Sequence, residues 1–179
     1  MDLNNAEAIF NKLVPDLIKN NDKLISYLVL NNYFTAPSSR NFHGAYIGGN
    51  FEHSFEVTKC LLKYTERLDL EWERYESPYI IGLFHDLCKI DLYKFTKDEN
   101  GNSIIVYNDT ADKRHAEKSI DMIKNFIDLT EEEELCILHH MGAFRGKEVF
   151  DAMHKAIEKY PNVWWTHVAD MEASAIKGI

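Results

Sequence analysis

The chain is poor in the residues that interrupt regular structure. Its 179 residues include 4 prolines and 8 glycines, far fewer than collagen-like or low-complexity segments carry. Cysteine is scarcer still: Cys60, Cys88 and Cys136, with no CxxC pair. That odd, scattered set argues against a disulfide framework and against a cysteine-type zinc site. No apolar run approaches the roughly 20 residues of a membrane helix. The opening MDLNNAEAIF lacks the basic stretch and apolar run of a secretory or transit peptide. A cytoplasmic, reducing setting is therefore expected, with no membrane association. Positive charge is also short: 20 Lys and Arg stand against 29 Asp and Glu, a net charge of −9. Binding along a duplex neutralises many phosphates and needs a basic face. No Lys/Arg cluster supplies one, so long duplex nucleic acid is not an expected partner.

What is present suits a globular helical chain. Hydrophobic residues make up 45% of it, and the length suits a single domain over residues 1–179. Apolar groups recur at helical spacing over 6–30, with Pro15 starting a second helix or kinking a long one. Residues 33–50, with Pro37, Gly44, Gly48 and Gly49, read as loop. A helix is expected at 51–67, with Glu52, Glu56, Lys59 and Lys63 on its wet face and His53, Val57, Cys60 and Tyr64 on another. Ser77-Pro78 reads as a capping hydroxyl followed by proline at the first helical position. YIIGLFHDLCKI is apolar on every side until His85-Asp86, as in a buried helix. Residues 93–107 suggest a β-hairpin around Asn100-Gly101, a candidate lid. A helix over 112–127 carries the stripe Ala116, Ile120, Ile123 and Ile127. Thr130 and Glu133 form a capping box for a helix reaching His140, with Glu131–Glu134 as a solvated start. Helices at 147–159 and 162–177 close the chain, the last with Trp164, Val168, Met171 and Ala175 as its core stripe.

Chemistry enters at His85-Asp86. An ionised carboxylate buried without a partner costs several kcal/mol. Asp86 ends the most apolar helix in the chain, and Lys89 is its only local cation. A metal ion resolves the conflict: imidazole nitrogen and carboxylate oxygen suit Mn, Fe, Co, Ni or Zn. Asp170, in VWWTHVADMEASAI, poses the same problem. Eight histidines occur in all, at 43, 53, 85, 115, 139, 140, 154 and 167.

The order His53, His85-Asp86, Asp170 resembles that of the HD-domain superfamily of metal-dependent phosphohydrolases, over roughly residues 43–175. The resemblance implies an all-α helical bundle, with the 93–107 hairpin as an insertion and residues 1–35 as a helical segment packing on it. It implies that His53, His85, Asp86 and Asp170 hold a metal. His115 and His140 match the extra histidines of members with a second ion, as in HD-GYP phosphodiesterases and CRISPR-associated HD nucleases. The intervals from His53 to His85, His115, His140 and Asp170 are 32, 30, 25 and 30 residues, about one ligand per helix. Asp86 would then bridge two ions. The GYP signature is absent, so cyclic-di-GMP specificity is not carried over. HGAYIGGNFEHS is similar to a segment of bacterial HD-type exoribonucleases, without their nucleic-acid-binding domain. The usual HDxGK run is HDLCK here, with Cys88 in place of glycine.

The implied function is hydrolysis of a nucleotide or short phosphodiester by a metal-activated water. Asp86 and Lys89 would be catalytic; His43, Lys89 and Arg145 would meet the substrate, with the Gly48-Gly49 backbone at the pocket mouth. Other readings stand beside these. Arg145 and Lys147 are surface by default, and His43 is pocket or loop. His139 is packing or a support behind the ligands, His154 solvated surface, and His167 a neighbour of the site rather than a ligand. Trp164-Trp165 reads as core. The same six ligands would also serve a diiron oxygenase resembling myo-inositol oxygenase, and a non-enzymatic nucleotide sensor is the third class. Oligomeric state is open.

Overall fold

The structure is a computed structural model that describes residues 3–112, 114–143 and 146–179. It is predominantly helical. Three short helices open it: α1 (Leu3–Leu13), α2 (Asp16–Lys19) and α3 (Asp22–Leu30). Pro15 precedes α2 with an extended backbone, and the Asn21 side chain caps α3 by accepting from Leu24 N–H. Pro15 thus starts a second helix, as one of the two expected alternatives had it, and a further break at Asn20–Asn21 makes the segment three pieces. α4 (Gly49–Leu68) and α5 (Ser77–Phe84) follow, then the single turn α6 (Lys89–Leu92). β1 (Tyr93–Lys97) and β2 (Ser103–Tyr107) form an antiparallel hairpin with Tyr93 opposite Tyr107 and Phe95 opposite Ile105. The remaining helices are α7 (His115–Ile123), α8 (Glu131–His139), α9 (Lys147–Lys159) and α10 (Asn162–Met171), the last continued by a π turn over Glu172–Ile176.

Two apolar clusters hold these elements. In one, Phe10, Ile18, Leu24, Leu28 and Tyr33 pack with Phe51, Ile80, Leu83 and Phe84, so the opening helices seal one side of α4 and α5. The Tyr33 hydroxyl, fully buried, donates to Leu83 O at 2.6 Å. In the other, Val57, Leu61, Ile81, Ile120, Ile137, Met153 and Val163 join α4, α5, α7, α8, α9 and α10. At the crossing of α4 and α5, Gly82 lies against the Thr58 backbone. A Cβ at Gly82 would stand 2.6 Å from Thr58 Cα, so only glycine permits this approach.

Several local expectations are corrected. Ser77 does not cap α5: Glu76 is the N-cap, and the Ser77 hydroxyl donates to Glu133 Oε1 at 2.8 Å. Glu133 and Glu132 are buried rather than solvated. Glu133 takes two hydrogen bonds from the Arg74 guanidinium, and Glu132 accepts from Asn162. The Thr130–Glu133 capping box is present, so Glu133 serves a cap and an ion pair at once. Glu56 leaves the wet face of α4 and is buried under Lys59 and Lys177. On α10 the stripe is out of phase: Trp164 is 47% and Met171 37% exposed, whereas Val163, Thr166, Ala169 and Asp170 are buried. The apolar surface of Trp164 outweighed position in the sequence pattern, but the smaller residues are the ones that fit against α4 and α8.

Candidate metal centre

Five helical segments deliver six side chains to one buried point. His53 comes from the second turn of α4, His85 from the C-cap of α5 and Asp86 from the turn after it, His115 from the first residue of α7, His140 from the C-cap of α8, and Asp170 from α10. His53, His85, Asp86, His140 and Asp170 are each less than 9% exposed.

Asp86 divides the histidines between its two oxygens. Oδ2 lies 3.7 Å from His53 Nε2 and 3.5 Å from His85 Nε2. Oδ1 lies 2.7 Å from His115 Nε2 and 3.5 Å from His140 Nε2. Asp170 Oδ1 sits on the first pair, 3.0 Å from His53 Nε2 and 3.8 Å from His85 Nε2. Lys89, one turn beyond Asp86, brings its ammonium 2.6 Å from Oδ2 and donates to Ser38 Oγ at 3.2 Å.

The outer nitrogens orient the rings. His85 Nδ1 is 2.9 Å from Gly82 O, His140 Nδ1 2.7 Å from Ile137 O, and His53 Nδ1 2.9 Å from Ile179 O. A carbonyl only accepts, so each Nδ1 carries a hydrogen, and in the neutral ring each Nε2 turns a lone pair inward. His115 Nδ1 instead meets Cys88 Sγ at 3.4 Å.

Electrostatics follow from burial set against charge. Burial acts to raise the Asp86 pKa, but Lys89 and then His85 and His115 outweigh it and hold the carboxyl well below its usual range. Asp170 is likewise held low against burial by His53, His140 and His85. Burial lowers the pKa of His85, partly offset by Asp86, and so favours its neutral form.

Whether these residues fit a metal can be judged from their unmet valences. Asp86 Oδ1, His115 Nε2 and His140 Nε2 are buried and have no hydrogen-bond partner. His115 Nε2 and Asp86 Oδ1 lie 2.7 Å apart without forming a hydrogen bond. Buried polar atoms are normally satisfied. Inward lone pairs beside acidic oxygens are the donor set that divalent transition ions take. His53, His85 and Asp170 form one group that could hold an ion, and His85, Asp86 and His140 another; a third joins Asp86, Cys88 and His115.

A cavity of about 630 Å³ opens onto the centre. Its polar lining includes Ser38, Ser39, His43, Asp86, Lys89, His115 and Asp170; its apolar lining includes Phe42, Tyr93, Tyr107 and Met141. His43 therefore belongs to the pocket rather than to loop alone, and burial, then His53 and Lys89, lower its pKa toward the neutral form. Gly48 and Gly49 do not line it. Gly48 turns the chain into α4 with φ +84°, and a Cβ on Gly49 would meet Gly44 O at 2.0 Å. Arg145 lies outside the described residues. His139 packs near a separate groove, His154 is exposed beside Glu158, and His167 Nδ1 bonds His140 O at 2.8 Å. Sequence reasoning missed Ser38 as the partner of Lys89, because 51 residues separate them and no motif joins them.

Among the described residues no helix is long and apolar enough to cross a membrane. Comparison with curated proteins and with solved structures returned no match. The HD domain family model matches residues 50–174, a span that opens one residue into α4, carries His53 through Asp170, and closes within the π turn. The chain thus belongs to the HD domain family, whose members bind divalent metals and are generally metal-dependent hydrolases.

Proposed function

We propose that the protein is a two-ion phosphohydrolase or phosphodiesterase acting on a nucleotide or short phosphodiester. The observation that carries this reading is the division of Asp86, one carboxylate oxygen toward His53 and His85 and the other toward His115 and His140. In this reading His53, His85, Asp86 and Asp170 hold one divalent ion, and Asp86, His115 and His140 hold a second. Such ions lower the pKa of a bound water and polarise a phosphoryl oxygen.

The chain's own residues do the rest. Lys89 keeps an ammonium at the cavity wall, where charge grows on phosphoryl oxygens as the bond breaks. Ser38 holds that ammonium in place. His43, neutral in the pocket, offers a hydrogen bond without adding charge. Tyr93 and Tyr107, rings 5.2 Å apart, give the cavity an aromatic edge suited to a planar base.

The test is metal content before and after reconstitution with Mn²⁺, followed by phosphate or nucleoside release from a panel of nucleotides and short phosphodiesters. Two ions per chain and anaerobic turnover, lost in His85→Ala and Asp86→Ala, support the proposal. An iron-loaded protein that consumes O₂ and hydrolyses nothing would establish an oxygenase on the same six ligands. Full metal loading with neither reaction would point to a sensor.

A further inference from the structure

His85 and His140 stand at the C-terminal ends of their helices, and each takes the carbonyl three residues back on its own chain. His115 opens α7 and has no preceding helical turn to offer such a carbonyl. Its ring is bracketed instead by two side chains from the turn after α5. Asp86 Oδ1 is at Nε2, 2.7 Å away, and Cys88 Sγ is at Nδ1, 3.4 Å away. A thiol donates and accepts only weakly, so it does not fix the hydrogen on Nδ1 as a carbonyl does. The thiol is firmly placed: Cys88 is 1% exposed, and its backbone N–H donates at 3.1 Å to Ser119 Oγ, one turn along α7 from His115. His115 is also the most open of the four central histidines, with 17% of its side chain exposed against 1% or less for the others.

We propose that Cys88 is the positioning residue of His115, and that it makes the His115 half of the centre a separately adjustable, weaker metal-binding half. This rests on the two-ion reading above. An ion at Nε2 requires the ring hydrogen on Nδ1, aimed at Cys88. Carboxylate, carbonyl or water partners behind a ligating histidine are worth 10–100-fold in metal affinity when removed, and a thiol, a weaker acceptor, falls at the low end of that range.

The experiment is calorimetric titration of metal-free protein with Mn²⁺, together with ¹⁵N spectra of the imidazole rings. In the wild type, two binding steps are expected. Cys88→Ala should weaken the second step about tenfold, leave the first unchanged and shift the His115 ring signals. Cys88→Ser, which restores an acceptor, should recover most of that loss. His115→Ala should abolish the second step alone. Unaltered second-step affinity in Cys88→Ala overturns the proposal while the two-ion reading stands. Equal weakening of both steps, without rescue by serine, overturns it in favour of simple packing. A wild type that binds no ion overturns the two-ion reading and the proposal with it.

Discussion

His53 Nε2 and His85 Nε2 stand 3.3 Å apart, and in their neutral forms neither has a hydrogen to offer the other, because each ring's Nδ1 faces a carbonyl oxygen. Two lone pairs facing across such a gap repel. A cation shared with Asp170 converts that repulsion into attraction. Divalent metal should therefore stabilise the fold. At a hundredfold excess over Kd, binding contributes about 2.7 kcal/mol, which for a chain of this size is a rise in Tm of about 5–10 °C. Differential scanning calorimetry with and without Mn²⁺ checks this. His53→Ala and His85→Ala should each remove the rise.

Lys89 and a metal ion compete for the same carboxylate. Lys89 Nζ lies 2.6 Å from Asp86 Oδ2, the oxygen that also faces His53 and His85. Lys89→Met keeps most of the stem and removes the charge. Metal affinity should hold or tighten, while turnover of a phosphate ester should fall by about 10²–10³, the scale of losing one charge-stabilising donor. Titration and initial rates on the same variant separate the two effects. Weakened metal binding would instead mean that the lysine orients Asp86 as a ligand.

The hairpin edge should matter only to substrates with a base. Stacking is worth roughly 1–3 kcal/mol per base on alanine substitution. Tyr107→Ala should raise KM for a nucleoside monophosphate about tenfold and leave that for ribose 5-phosphate nearly unchanged. Equal effects on both would remove the aromatic pair from substrate recognition.

Acid should loosen the turn that follows Asp170. Hydrogen bonds from Lys63 and Tyr64 hold the Glu172 carboxyl down to about 2, from an ordinary 4.5. The folded value lies below the unfolded one, so the contribution is present above about pH 4.5 and is lost as pH falls toward 2. Glu172→Gln should be less stable than wild type at pH 7, and its Tm should fall less between pH 5 and 3. Thermal melts across that window decide it.

The legible parts of this molecule are those written in local spacing. The capping box at Thr130 and Glu133, the stripe Ala116–Ile120–Ile123–Ile127 and the hairpin around Asn100-Gly101 all depend on neighbours within a few residues, and all are present. The six donors are singled out by the resemblance of their order to the HD-domain superfamily, and they lie together in the fold. Misread positions are those whose partners are far away in the chain. Ser77 looks like a cap until Glu133 arrives from α8; Glu56 looks solvated until Lys177 folds back across α4. Ser38 and Cys88 show their roles only once Lys89 and His115 are in place.

The contact of Gly82 with Thr58 has a consequence for how the centre keeps its dimensions. His53 lies five residues before Thr58 on α4, and His85 three residues after Gly82. Where two helices touch through bulky side chains, every core substitution resets their separation. Here the spacing is set by main chain against main chain, a gauge block with no adjustable parts. The core on either side can drift in volume over evolutionary time, while the distance between the first two histidines stays where it is.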